Sequence, residues 1–118
     1  MLAAGDLDGD GALDIVTMSD RNNVRWYRRG ADPRQPWERR DIGPSVHAGL
    51  ALGDLDGDGD TDVVRSNLWF ENVDGNGARW VSHPVPFGKS GEPFPLATAC
   101  IVADINADGR NDLVMTEN

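Results

Sequence analysis

A nine-residue acidic segment occurs three times and constrains the fold more than any other feature of the chain. The copies cover residues 6–14, 54–62 and 104–112 and share the pattern D-x-[DN]-x-D-G-x-x-D. Oxygen-bearing side chains at alternate positions can converge on one point, as a hard cation such as calcium requires. The glycine at the sixth position permits the sharp turn that brings the ninth-position Asp back. The pattern therefore predicts three calcium loops.

The acidity of the chain belongs to these loops. The formal net charge is -9, and 12 of the 20 acidic residues lie inside the three segments. Outside the segments, the remaining eight are outnumbered by 10 Lys and Arg residues, since the eleventh, Arg110, lies in the third segment; the rest of the chain therefore carries a net positive charge. No basic patch and no basic stretch with interleaved aromatic residues occurs in the sequence, so nucleic-acid or lipid binding has no supporting feature.

The residues around each loop predict strands and exclude a helical calcium module. An EF-hand loop ends with a bidentate acid at its twelfth position and lies between amphipathic helices. The twelfth residue here is Thr17, Arg65 or Met115. Short β-branched runs bounded by polar turns follow the loops, and small-residue runs such as 49–52 and 99–103 precede them. These are signatures of β-strands.

Four tryptophans measure the repeat unit. Trp26 and Trp37 are 11 residues apart, and so are Trp69 and Trp80, while the loops recur after 48 and then 50 residues. The constant spacing indicates one hairpin of fixed geometry. We therefore predict four strands in each unit. The first precedes the loop, the second follows it, the third contains the first tryptophan, and the last starts at the second tryptophan. We expect the tryptophans to pack between repeats rather than to form a carbohydrate platform.

The loops and the aromatic strand together resemble the FG-GAP/VCBS repeat family, the calcium-binding propeller blades of integrin α head domains and of many secreted bacterial proteins. Residues 53–59, with the sequence GDLDGDG, are close to the typical form of the family. Residues 69–72, with the sequence WFEN, resemble its W-[YF]-E-N strand, and an Asp-Gly-Asn-Gly turn follows at 74–77. The resemblance covers nearly the whole chain.

Two departures from the family pattern are visible. Arg28 and Arg29 replace the acid and the amide of the aromatic strand in the first repeat. Asn106 and Ala107 alter the third loop, where an amide stands in place of a carboxylate. We therefore expect the third site to be the weakest.

The resemblance implies the ligands of up to three calcium ions. They are the side chains at the first, third, fifth and ninth loop positions and the backbone carbonyl at the seventh. Carried onto this sequence, the implied metal ligands are Asp6, Asp8, Asp10, Ala12, Asp14, Asp54, Asp56, Asp58, Asp60, Asp62, Asp104, Asn106, Asp108, Arg110 and Asp112.

The resemblance also implies an all-β fold, a partial β-propeller of about two and a half four-stranded antiparallel blades. The predicted units are repeat 1 at 1–48, repeat 2 at 49–96 and the first half of repeat 3 at 97–118. Because a closed propeller has about 4 to 8 blades, we expect the chain to be a fragment of a larger propeller that has lost its signal peptide. Such loops fill at the millimolar calcium found outside cells. The expected location is therefore extracellular, periplasmic or at the cell surface.

Catalytic candidates are few. The chain has two histidines, and its sequence contains no nucleophile elbow, paired Cys/His metal spacing or phosphate-binding glycine loop. His47 is the weak catalytic candidate, because it lies near the start of an innermost strand; the alternative is a turn histidine with an ordinary hydrogen bond. His83 aligns with Arg40, which indicates an outer position. Cys100 lies in an apolar run and is expected to be a buried small hydrophobe.

We therefore expect a calcium-binding propeller segment that acts as an extracellular scaffold or as a protein or carbohydrate interaction module, without catalytic residues of its own. The alternative is part of a propeller-type carbohydrate lyase or dehydratase whose catalytic groups lie mostly outside this segment. Expected partners are other propeller blades, a second copy through the open strand at 112–115, and a protein or carbohydrate ligand. Neither nucleic-acid binding nor membrane insertion is expected.

Overall fold

The computed structural model describes residues 1–46, 48–85 and 99–116, and these residues form ten β-strands and no helix. The strands are β1 Leu2–Gly5, β2 Asp14–Thr17, β3 Val24–Arg28, β4 Glu38–Gly43, β5 Leu50–Gly53, β6 Asp62–Arg65, β7 Leu68–Asn72, β8 Trp80–Pro84, β9 Ala99–Ala103 and β10 Asp112–Thr116. The prediction of an all-β chain is confirmed. Across the described ranges, no helix is long and apolar enough to cross a membrane.

The strands form three antiparallel sheets in which every strand pairs with its neighbour in sequence. Sheet 1 has the order β1-β2-β3-β4 and sheet 2 the order β5-β6-β7-β8, while sheet 3 contains β9 and β10. The predicted four-stranded unit is therefore confirmed in the first two sheets. The sheets fall inside the predicted repeats; the repeat boundaries and the closure of such sheets into a propeller stay predictions.

Each acidic loop connects the first two strands of its sheet. Gly5 pairs with Asp14 at the base of the first loop, and Gly53 pairs with Asp62 at the base of the second. The same register occurs in sheet 3, at the junction of β9 with β10. Antiparallel pairing therefore holds the two ends of each loop together, whatever the loop binds.

The apolar core lies between successive sheets. One cluster joins sheets 1 and 2 through the buried side chains of Leu7, Val16, Met18, Val24, Trp26, Leu50, Val63 and Phe70. A second cluster joins sheets 2 and 3 through Ala51, Val64 and Cys100, with Leu55, Trp69, Val102, Leu113 and Met115 packed against them. Burial of apolar area at about 25 cal/mol per Å² makes these contacts the main source of cohesion between the sheets.

Close approach of the sheets depends on glycine. A Cβ atom at Gly53 would lie 2.5 Å from Val102 in the next sheet, and a Cβ at Gly77 would overlap the ring of Trp26. Backbone from one sheet therefore rests directly on side chains of its neighbour. A larger residue at either position would push the sheets apart.

Three of the four tryptophans pack between sheets, as predicted. Trp26 is fully buried and meets Trp80 edge to face, with ring centroids 6.4 Å apart, and Trp69 packs against the second cluster. The prediction is wrong for Trp37, which joins neither cluster and precedes β4 by one residue. Its indole N–H donates to the carbonyl of Pro33 at 3.1 Å, because the turn before β4 folds back on the ring.

Candidate metal site

The ninth-position Asp anchors the loop to the rest of its sheet in the first two copies. Asp62 is fully buried and accepts hydrogen bonds from the backbone N–H groups of Leu55 and Asn72, both at 2.9 Å. Asp14 is also fully buried and makes the equivalent two bonds in sheet 1. In sheet 3, Asp112 accepts the first of these bonds, from Ile105 at 3.0 Å. In the first two loops, the ninth-position carboxylate therefore joins the loop to the end of the third strand of its sheet.

The first-position Asp organises the backbone of the loop around its carboxylate. In the second loop, Asp54 accepts hydrogen bonds from Gly57 at 2.7 Å and from Gly59 at 2.9 Å, one on each oxygen. The first loop repeats this arrangement around Asp6, and the third has a similar one around Asp104. The loops therefore hold a curled conformation through their own hydrogen bonds.

The fourth loop position has the same backbone requirement as the sixth, which the sequence analysis did not identify. Gly57 has φ +84° and Gly59 has φ +94°, both in the left-handed region that favours glycine. The third loop has Ala107 at the fourth position, with φ +60°. A side chain in this conformation costs about 1 kcal/mol. The glycine at the fourth position of the first two copies was the available signal.

The structure brings carboxylates together in two of the three loops. Asp6, Asp8 and Asp14 form one group and Asp54, Asp56 and Asp58 form another, with one oxygen from each member within 4.8 Å of the others. These two clusters could bind a metal ion. Within residues 99–116, the third loop forms no such group.

The remaining predicted ligands do not belong to these two groups. The seventh-position residues Ala12, Asp60 and Arg110 each donate a backbone N–H to the fifth-position Asp of the same loop, at 2.8 to 2.9 Å. Their role as carbonyl ligands stays a prediction. In the third loop, the Asn106 amide donates to Asp108 at 3.2 Å, so two predicted ligands satisfy each other.

The donor chemistry of both groups fits a hard divalent cation. Each consists of carboxylates alone, and calcium takes about six to eight oxygen ligands. Three negative charges held this close repel one another unless a cation lies between them. No His or Cys of the described ranges belongs to either group, and oxygen donors favour calcium, magnesium or manganese over zinc or copper.

An arginine lies beside the first loop. The Nε of Arg28 donates a hydrogen bond to Asp8, and its Nη2 is 3.8 Å from an oxygen of Asp10. Burial alone would raise the pKa of Asp8, but the hydrogen bond and charge of Arg28, with the backbone N–H of Asp10, hold that pKa below its usual value. The same contact raises the pKa of Arg28.

The second loop has an acid at the equivalent place. Burial, with the nearby charges of Asp58 and Glu71, raises the pKa of Asp56 above its usual value. Glu71 also contacts His83, with Oε2 and Nε2 2.6 Å apart, and the His83 ring stacks on Trp69 at a centroid distance of 4.6 Å. The predicted alignment of His83 with the first repeat is confirmed by the strand register. Its side chain is half-buried against these neighbours.

The ninth-position carboxyl group of the second loop has the most perturbed acidity of the predicted ligands. Burial raises the pKa of Asp62 to about 6, partly offset by the hydrogen bonds from Asn72 and Leu55. The charges of Asp56 and Asp58 add to the increase. A cation in the loop would reverse this effect, since it favours the ionised form.

Two other candidates stand apart from the loops. His47, the weak catalytic candidate, lies outside the described residues. Cys100 is buried, as predicted, and its thiol donates to the carbonyl of Gly49 at 3.2 Å. Burial raises the pKa of that thiol, which makes it a poor nucleophile.

Comparison with known proteins identifies the family. A family model described as an FG-GAP-like repeat matches residues 6–64, a span that includes the first two acidic loops and half of the chain. No curated protein and no solved structure matches the chain. The FG-GAP part of the resemblance is therefore confirmed, over a span that includes the first two acidic loops but not the aromatic strand at 69–72. The chain belongs to the FG-GAP-like repeat family.

Proposed function

We propose that the chain is a calcium-binding segment of a β-propeller and acts as an extracellular scaffold or interaction module. The convergence of three carboxylates in each of two loops carries the metal-binding part of this proposal. Membership of a repeat family indicates a repeat module, and a repeat module commonly serves interactions through its surface.

Calcium is the ion favoured by the donor set. In the second loop Asp54, Asp56 and Asp58 would hold the ion, with Asp62 behind them, and in the first loop Asp6, Asp8 and Asp14 would do so. The bound ion would supply charge compensation. The third loop, with an amide and without a convergent group in the described residues, ranks last of the three.

The stacking of successive four-stranded meanders supports the propeller. Sheets 1 and 2 bury a common apolar cluster, and sheet 3 continues the same packing. Radial repetition of such sheets is the architecture of propellers. Other blades, and a protein or carbohydrate ligand on the assembled surface, are the partners that this architecture serves. Millimolar affinity for calcium would suit an extracellular, periplasmic or cell-surface location.

Thermal unfolding with and without calcium tests the metal-binding proposal. At about ten times its dissociation constant, each ion adds roughly 1.4 kcal/mol to the unfolding free energy. Two ions would raise the midpoint by about 10 °C or more for a domain of this size. The measurement compares EDTA with millimolar calcium, and sodium chloride at matched ionic strength serves as the control. An unchanged midpoint in calcium would refute the proposal.

A further inference from the structure

The three loops differ in the charged side chain that faces them. The strand registers pair Trp26 with Val16 and Trp69 with Val64, so Arg28 in β3 and Glu71 in β7 occupy equivalent positions. At this position, a cation lies beside the first loop and an acid lies beside the second. In sheet 3, the described residues include no strand equivalent to β3 or β7.

Arg28 contacts the first loop with two of its nitrogens. Nε donates to Asp8 and Nη2 lies 3.8 Å from Asp10, so the guanidinium spans two of the predicted ligands. The Asp8 side chain is 6% exposed and that of Arg28 is 38% exposed, so the pair is more shielded from water than a surface ion pair. Arg28 is also fixed at the end of β3, where it pairs with Glu38.

Both oxygens of Asp8 are engaged in this arrangement. One accepts the Arg28 bond and the other accepts the backbone N–H of Asp10 at 3.2 Å. An ion in the first loop would have to displace Arg28 from Asp8 or bind beside its positive charge. Since arginine stays charged at every physiological pH, titration does not remove this obstacle.

The second loop offers the opposite electrostatic environment. Among the residues with described positions, no Lys, Arg or His forms an ion pair with any of its five Asp residues. Glu71 adds a further negative charge near Asp56. The third loop does have a cation, Arg110, 3.6 Å from Asp108, but the Arg110 side chain is 83% exposed and such a pair contributes little.

We propose that Arg28 is a built-in counter-cation for the first loop, so that the carboxylates of this loop are partly neutralised without calcium while those of the second loop are not. This inference rests on the proposed calcium binding and assigns its regulation to one residue. The loop in sheet 2 then has the higher calcium affinity of the two, because the affinity of the loop in sheet 1 is lowered by its own arginine.

Glycine amides report the three loops separately. The backbone N–H groups of Gly11, Gly59 and Gly109 each donate to the first-position Asp of their own loop, at 2.8, 2.9 and 2.8 Å. A calcium titration followed by 15N–1H correlation spectra therefore gives an apparent dissociation constant for each loop. The titration is made on the whole chain and on Arg28→Gln, with Glu71→Gln as the matched control at the equivalent position.

In the unsubstituted chain, the Gly59 amide should shift at a calcium concentration about tenfold lower than the Gly11 amide. Arg28→Gln should lower the Gly11 midpoint about tenfold and leave the Gly59 midpoint unchanged. Glu71→Gln should leave the Gly11 midpoint unchanged. The reciprocal substitution Glu71→Arg should raise the Gly59 midpoint at least about tenfold, and it decides the matter if Arg28→Gln does not fold.

Two results separate this inference from the proposed function. If Gly59 titrates but the Gly11 midpoint is unaffected by Arg28→Gln, or the Gly59 midpoint is unaffected by Glu71→Arg, the role of Arg28 is wrong and calcium binding stands. If no glycine amide responds to millimolar calcium in any variant, both the calcium proposal and the inference from it are overturned.

Discussion

The Asp62 carboxyl group combines two tasks whose requirements conflict. It is fully buried to hold the second loop against β7, and burial among carboxylates raises its pKa to about 6. A calcium ion requires the ionised form. Calcium bound at the second loop, as proposed, would therefore be coupled to proton binding through this one residue.

Calcium affinity at the second loop should fall as the pH falls through about 6. Below that pH the Asp62 carboxyl is protonated in the calcium-free fold, and calcium must displace the proton, which costs about tenfold in affinity for each further pH unit. Calorimetric titrations at about pH 7.5, 6 and 5 would measure this. Asp62→Asn is the control, since it removes the titrating group. An affinity of the unsubstituted second loop that is independent of pH would contradict the prediction.

In the calcium-free protein, the contribution of Asp62 to folding stability should have the opposite pH dependence from the calcium affinity. The folded-state pKa of Asp62 is above the unfolded value of 3.8, so the folded chain binds the proton more tightly. This contribution to stability is present at low pH and is lost as the pH rises through about 6. Calcium bound at the second loop would remove this loss, because a cation stabilises the ionised carboxylate.

At the scale of elements, the β7–β8 hairpin ties sheet 2 to sheet 1 through one buried amide. The Asn72 side chain donates to the carbonyl of Leu7 at 2.7 Å and accepts from the backbone N–H of Gly77 at 2.9 Å. The first bond crosses between sheets, and the second fixes the turn that rests on Trp26. One side chain therefore sets both the shape of the hairpin and its docking.

Asn72→Ala should destabilise the chain by about 2 to 4 kcal/mol, because it leaves a buried carbonyl and a buried N–H without partners. Asn76→Ala, in the same hairpin, is the matched control. The Asn76 side chain is exposed and accepts one local bond from Ala78, so its loss should cost less than about 1 kcal/mol. Urea denaturation in calcium would measure both variants. Equal losses of stability in the two variants would show that the buried hydrogen bonds of Asn72 contribute no more than a local surface bond.

The sequence predicted the elements better than the contacts between them. The four-stranded unit was predicted from local properties of the chain. These are the repeated motif, the 11-residue tryptophan spacing, and the small-residue and β-branched runs on either side of each loop. Arg28 was recognised as a departure from the family pattern, but its contact with Asp8 depends on the register between β2 and β3. The position of Trp37 outside both apolar clusters likewise depends on the turn before β4, which no periodicity encodes.

At the scale of the whole molecule, the residue at position two of each acidic loop becomes less buried from sheet 1 to sheet 3. Leu7 is fully buried against sheet 2, Leu55 is half-buried against sheet 3, and Ile105 is 64% exposed. Ile101 in β9 is also largely exposed. The described residues therefore contain three equivalent apolar side chains at which a following sheet can pack, and only Leu7 is completely covered. Surfaces of this kind favour association with a further sheet.

We expect the isolated chain to self-associate, because β10 pairs only with β9 in the described ranges and presents an open edge beside this apolar surface. Light scattering at several protein concentrations in calcium would detect the association. Ile105→Lys should weaken it by placing a charge in the contact, whereas Leu13→Lys on the opposite side of the stack tests whether both ends take part. A compact monomer at every concentration would contradict the expectation.

The meander topology has a consequence for how the chain reaches its structure. Every strand pairs with its immediate neighbour in sequence, so each sheet closes only short loops and loses little chain entropy before its hydrogen bonds form. Contacts between distant residues, such as the tie between Leu7 and Asn72, come afterwards. Pairings within a sheet therefore have a lower contact order than contacts between sheets, and contacts of lower contact order form faster. The strands of each sheet can therefore pair as its residues emerge during synthesis. Packing between sheets follows once the next sheet has formed.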